Sequence, residues 1–250
     1  MKKIITFLIF LISFSTFGQR VKSSLQDNKY LIGKSFFGVH ISPIVPTSIF
    51  QKNDYTHTTD SVSYSITNLP SISYGAEIRH YFTYRFALIS GITYTKRNIK
   101  IDYNSSYPTD SRKTDTSFTG TLHFIAFEIP VQAVGYVRLT RKIYMDIAGG
   151  INLNFYPSHL RINHIVMQRI GTGGIQFFQL GYNINLGWEY RTEESGFFYI
   201  GASIQYRFDY MANILLYEKE TQHTADYYKS IYGNYFAFNL KYIFPLGEKR

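Results

Sequence analysis

This sequence predicts an all-β fold, an eight-stranded antiparallel up-and-down transmembrane β-barrel, on three observations. The first is the stretch from Gln176 to Met211, where two long runs alternate strictly between apolar and polar residues. Phe178, Leu180, Tyr182, Ile184, Leu186, Trp188 and Tyr190 share one parity, and Phe198, Ile200, Ala202, Ile204, Tyr206, Phe208 and Tyr210 repeat it after a turn at Thr192 to Gly196. Period two puts each set on one face of a strand. The second is length with aromatic placement. The runs last about 14 residues, beyond the 5–6 usual in soluble sheets, and carry Phe, Trp and Tyr near both ends, where membrane barrels have interfacial girdles. The third is rhythm, since eight such segments are joined by long and short connections in strict alternation, as in an up-and-down barrel.

The elements follow in order. Met1-Lys2-Lys3, the apolar run Ile4 to Phe14 and the small residues up to Gly18 read as a secretory signal peptide over 1–18, too short to span a bilayer. Residues 19–34 are polar and read as a periplasmic tail, and 35–247 as the barrel. The first strand spans about Ser35 to Pro46, with Phe37, Val39 and Ile41 outward and His40 and Ser42 inward. A polar loop is expected over 47–69. The second strand shows Ile72, Tyr74, Ala76, Ile78, His80 and Phe82 outward, with Glu77 and Arg79 inward. A turn at Thr83 to Arg85 leads to the third strand, about 86–103, and the polar segment 104–117 forms the next loop. In the fourth strand, about 118–138, Ile125, Phe127, Ile129 and Val131 point outward, and Phe124, Glu128, Gln132, Tyr136 and Arg138 inward. The fifth follows a turn at 139–142 and has Asp146, Asn152 and Asn154 inward. A third long loop, 157–175, precedes the hairpin, and a fourth, 212–233, precedes the last strand, where Phe236, Phe238, Leu240, Tyr242 and Phe244 oppose Asn239 and Lys241.

Composition fits this reading. Tyr and Phe number 23 and 21, an excess suited to a membrane–water boundary. Mean hydropathy is only −0.14 because alternation averages to neutral. There is no Cys, which removes disulfides and Cys-based metal sites. The formal charge of +9 falls to about +7 without Lys2 and Lys3. Basic residues are scattered, with no basic run or helix, so no nucleic acid is expected and outer-membrane lipid and lipopolysaccharide are the natural counterparts.

In FEIPVQAVGYV (Phe127 to Val137), IAGGINLNF (Ile147 to Phe155) and FAFNLKYIFPL (Phe236 to Leu246) the chain resembles the outer-membrane β-barrel domain family, the PorT-like proteins of Gram-negative bacteria with type IX secretion. The resemblance runs over roughly 35–247 and implies residence in the cell outer membrane and a link to secretion or gliding machinery. The aromatic last strand also looks like the signal read by the barrel-assembly machinery, although six residues follow Phe244.

An eight-stranded barrel has a lumen that its own side chains fill. Glu77, Arg79, Glu128, Arg138, Asp146, Glu189, Arg191, Gln205, Arg207, Asp209 and Lys241 have inward parity, and mutual pairing is expected because isolated charges there are costly. His40-Ile41-Ser42 is similar to the His-x-Ser of outer-membrane lipid A deacylases, but parity turns the pair into the lumen and no acid partner can be named. His159 and His164 share a loop without a carboxylate between them, and Gly171-Thr172-Gly173-Gly174 lacks the Lys of a phosphate loop. No cofactor is expected. Tyr217, Tyr227, Tyr228 and Tyr232 in the fourth loop are the candidate external binding residues; the alternative puts Tyr228 and Tyr232 in the aromatic girdle. The expected function is a non-enzymatic barrel, either an accessory component of a secretion or envelope assembly or a surface-binding protein. The alternatives are a lipid A-modifying enzyme and a small pore.

Overall fold

A computed structural model of the chain describes residues 31–48, 54–58, 62–106, 116–157, 160–162, 165–169, 178–192, 195–216 and 227–245. The signal peptide expected over 1–18 and the tail up to 30 lie outside them. Eight long strands close a ring: β1 (Ser35–Pro46), β3 (Val62–Tyr81), β4 (Phe86–Ser105), β5 (Thr116–Arg138), β6 (Ile143–Phe155), β9 (Phe178–Arg191), β10 (Phe197–Arg207) and β13 (Tyr235–Pro245). Every neighbouring pair is antiparallel, and β1 completes the circuit by pairing with both β3 and β13. A fourteen-residue alternation such as Phe178–Arg191 makes this possible, because it exposes one oily face and buries one polar face along its whole length.

The oily face points outward. Ile78, Ile92, Ile147, Ile184, Ile200 and Phe238 are each more than half exposed, a surface that only an apolar surrounding favours. Its upper boundary is an aromatic row in direct register across five strands, Tyr74, Tyr94, Phe127, Phe155 and Phe178. Successive ring centroids are 4.9, 5.7, 6.4 and 5.3 Å apart. Near the short turns Phe82, Phe86, Trp188, Tyr190, Phe198 and Phe244 are exposed aromatics. From Tyr74 to Phe82, at about 3.4 Å per residue and a tilt near 40°, the band is roughly 20 Å tall, close to the apolar belt of a membrane barrel.

Beyond the aromatic row the strands do not stop together. β3, β4 and β5 run 20, 20 and 23 residues, against 11 to 14 for the other five, and rise as a wall on one side of the ring. The short strand β2 (Tyr55–Thr58) pairs with the tip of β3. This corrects the polar loop expected over 47–69, much of which is strand. The cause is a bulge between Leu69 and Ile72, where the β3–β4 register shifts. One extra residue reverses parity, so even-numbered residues face outward below it and Tyr64 and Ile66 face inward above it.

The third and fourth loops also carry strands. β7 (Leu160–Ile162), β8 (Ile165–Arg169), β11 (Ala212–Leu216) and β12 (Tyr227–Ile231) form a second sheet in the order β12-β11-β8-β7. Between wall and loops lies an apolar core in which Tyr64, Ile66, Ile99, Ile101, Leu122, Phe124 and Ala126 pack with Tyr156, Met211 and Ile231. Each large side chain buried there contributes roughly 1.5–3 kcal/mol. We call this β-structure above the barrel the head.

Candidate functional site

The inner face divides into three storeys. Nearest the short turns is an aromatic floor of Leu31, Phe36, Tyr81, Tyr136, Phe197, Tyr199 and Ile243 with smaller neighbours. Leu31 belongs to the expected tail, and the last residues of that tail are docked: Leu31 is fully buried, and Gly33 donates its N–H to the Tyr81 carbonyl at 2.8 Å. Gly33 has φ of 74°, a left-handed conformation that glycine adopts without strain. Tyr199 lies across the facing pair Gly187 and Gly201, at either of which a Cβ would strike its ring.

On this floor stands the first ion cluster. Arg79 donates to Glu189 and, at 3.1 Å, to Glu77; Arg191 donates to Glu189 at 2.6 Å; Lys241 reaches Glu77 at 2.7 Å. The Arg191 guanidinium sits 4.0 Å from the Tyr144 ring centroid and 4.7 Å from that of Tyr136. Buried Asp146, two residues from Tyr144 on β6, adds a third carboxylate, so three acids face three bases. Among the described residues Asp146 Oδ1, Arg79 Nε and Arg191 Nη1 have no hydrogen-bond partner.

The middle storey is uncharged for the most part. Ser42 Oγ donates to Asn239 Oδ1 at 2.8 Å, Asn239 donates to Ser203 at 3.0 Å, Tyr199 donates to Asn185 at 2.8 Å, and Gln132 donates to Asn183. A cavity of about 60 Å³ remains, lined by His40, Ser42, Glu77, Glu128, Asn152 and Lys241 among others, room for about two waters. His40 and Ser42 share the lumen but not a hydrogen bond. His40 Nε2 meets Thr93 Oγ1 at 3.2 Å, while the Ser42 proton goes to Asn239, so no base is aligned on the hydroxyl.

The second ion cluster lies under the head. Glu128 accepts from Arg207 at 2.8 Å, Tyr235 at 2.7 Å, Gln205 at 3.1 Å and Thr95 at 3.3 Å. Arg97 donates to the Gly233 carbonyl at 2.8 Å, and its guanidinium lies 4.3 Å from the Tyr235 centroid. Among the described residues Arg97 Nε, Arg207 Nε and Arg207 Nη1 have no partner. A buried donor left unpaired costs about 1–3 kcal/mol, more on a charged group.

Of the sequence-predicted lumen residues, Glu77, Arg79, Glu128, Asp146, Glu189, Arg191, Gln205, Arg207 and Lys241 are brought together in these clusters. Arg138 and Asp209 are not. Arg138 is the last residue of β5 and turns to the Thr140 carbonyl at 3.0 Å, and Asp209 follows the end of β10, where its carboxylate caps the N–H of Tyr210 at 2.8 Å. Inward parity carries a side chain into the lumen only while the strand remains in the ring. Arg97 is the residue missed; its signal is odd parity on β4, opposite to Phe86, Leu88, Ile92 and Tyr94. In the fourth loop Tyr217 lies outside the described residues, as do His159, His164 and Gly171 to Gly174. Tyr227 and Tyr228 belong to β12, and Tyr232 packs on Tyr210 with centroids 4.4 Å apart. Among the described residues no group of three His, Asp or Glu could hold a metal.

Outside the ring, a groove of about 700 Å³ lined by Val39, Ile41, Trp188, Phe198, Ile200 and Leu240 among others belongs to the lipid-type face. The outer face of the wall is polar. Asp102 takes hydrogen bonds from Thr119 at 2.9 Å and Ser65 at 3.3 Å and pairs with Lys100 at 2.9 Å, while Asn98 bonds His123 at 2.7 Å.

The fold is that of outer-membrane β-barrel proteins. The crystal structure of the outer membrane protein OprG from Pseudomonas aeruginosa matches with a TM-score of 0.50 at 9% identity, over 86% of this chain and 97% of that one. The outer membrane protease OmpT from Escherichia coli matches at a TM-score of 0.35 and 10% identity, over 85% of this chain and 94% of that one. No family model matches the sequence, and no curated protein does.

Proposed function

We propose that this chain is a non-enzymatic integral protein of the cell outer membrane, an accessory component of a secretion or envelope assembly of the PorT-like kind that meets its partner through the head. In this reading a signal peptide over 1–18 directs export, the barrel-assembly machinery inserts the ring, the short turns face the periplasm, and the head stands among lipopolysaccharide. The observation that carries it is the contrast between inside and outside. Among the described residues the lumen shows a cavity of about 60 Å³ between floor and head core, small for solute passage, whereas the strands beyond the apolar band build an ordered β-surface. A surface displayed on strands is suited to a macromolecular partner.

The test is extraction from native membranes in mild detergent, followed by sizing and mass spectrometry. Envelope proteins should travel with the full-length chain. They should be lost from a variant whose β4–β5 hairpin is cut between the facing residues Asn98 and His123 and closed by an Asn-Gly turn. A solitary barrel from native membranes overturns the accessory role and leaves a surface-binding protein. Conductance steps in a planar bilayer would make it a pore, and altered lipid A on overexpression an enzyme.

A further inference from the structure

The geometry points to a buried binding site for a monovalent inorganic anion of chloride size between Arg97 and Arg207, beneath the head. Three observations converge on it. The first is charge. Among the described residues the cluster near the floor sets Glu77, Glu189 and Asp146 against Arg79, Arg191 and Lys241, but the upper cluster sets two guanidiniums against Glu128 alone, with Arg97 and Glu128 the charged groups acting on Arg207. One positive charge is left over where Arg97 is 4% and Arg207 0% exposed.

The second is direction. The Arg97 guanidinium lies over the Tyr235 ring, 4.3 Å from its centroid, and that of Arg207 over Tyr156 at 5.3 Å, so each cation has an aromatic face beside it. Among the described residues Arg97 Nε, Arg207 Nε and Arg207 Nη1 are buried N–H donors with no acceptor; Arg79 Nε and Arg191 Nη1 share that state, but their cluster has a carboxylate for every cation. Water could accept from them, but only an anion also neutralises the surplus charge.

The third is convergence at one backbone point. Arg97 Nη2 donates to the Gly233 carbonyl, and a Cβ on Gly233 would lie 3.1 Å from both Cδ and Nε of Arg207. Residue 233 without a side chain lets both cations approach the same place, under Met211 and Ile231, which are buried in the head core. The site lies outside the small cavity of the middle storey, whose lining includes neither arginine.

Bromide is the probe. Crystals of the full chain grown in sodium bromide should show an anomalous peak within hydrogen-bond reach of the three unpartnered nitrogens. The unfolding midpoint in detergent should be higher in chloride than in isethionate at equal ionic strength, by about 5 °C. Arg97→Gln should abolish that difference. Bromide peaks confined to surface residues, or a wild-type midpoint indifferent to the anion, overturn the assignment and make the cluster a hydrated one; the wild-type measurements stand even if the variant fails to fold.

Discussion

The two ion clusters of the lumen use the same residue types in opposite ways. Near the floor, acids and bases alternate from Lys241 to Glu77 to Arg79 to Glu189 to Arg191, with Asp146 buried beside them, so acids and bases are equal in number among the described residues. Under the head, among the described residues, a single carboxylate collects four donors and faces two guanidiniums, Arg97 and Arg207. Matched charges make the lower cluster neutral as a whole, whereas the upper one carries a surplus positive charge among the described residues. Burying ions costs several kcal/mol each, and removing one partner from a buried pair is far more damaging than having built neither.

That contrast can be broken most directly at Glu189. Glu189→Ala leaves Arg191 without its carboxylate and Arg79 with Glu77 alone, and should cost about 3–5 kcal/mol in urea unfolding in detergent, followed by the emission of the single tryptophan, Trp188. A loss below 1 kcal/mol would mean that water already screens the chain. Glu128→Gln keeps a hydrogen-bonding group at the upper cluster but removes its only carboxylate. It should cost about 2–4 kcal/mol and steepen the dependence on added chloride, which Glu189→Ala should not. Identical salt responses would erase the distinction between the clusters. Gly187→Val drives a methyl into the Tyr199 ring and should cost about 1–3 kcal/mol, seen as a lower midpoint of heat-modifiable gel mobility. Smallest is Ser42→Ala, which removes one hydrogen bond to Asn239 and should cost about 1 kcal/mol with lipid A unchanged in cells. A lipid A change that depends on Ser42 would revive the hydrolytic reading.

Most of the ring was legible because alternation survives wherever one strand face meets an apolar medium and the other a packed lumen. The turn at Thr192 to Gly196 and the inward set from Glu77 to Lys241, apart from Arg138 and Asp209 at strand ends, follow from parity alone. Three things escaped for definite reasons. The bulge at Leu69 to Ile72 reverses parity next to Pro70, so the Tyr64 and Ile66 pattern falls out of step with Ile72 and Tyr74 and reads as loop. Arg97 lies past the aromatic row, where outward neighbours such as Lys96 and Asn98 are polar too, so parity must be carried up from Tyr94. Leu31 sits in a polar stretch, and only a partner far away in sequence, the aromatic floor, reveals its burial. The apolar core of the head was missed for the first reason, since it depends on strands that the bulge conceals.

Closure of the ring by β1 on β13, with Phe37 opposite Phe244, dictates an order of events during biogenesis. Hairpins such as β9–β10 join neighbours in the chain and can form early, whereas the seam joins strands from opposite ends of the barrel and must form last. Until then two strand edges stand open, each able to pair with another molecule. The slow, vulnerable interval in the life of this protein is therefore the wait for its final strand, and a lesion at the seam should show itself as aggregation of nascent chains before it shows in the finished barrel.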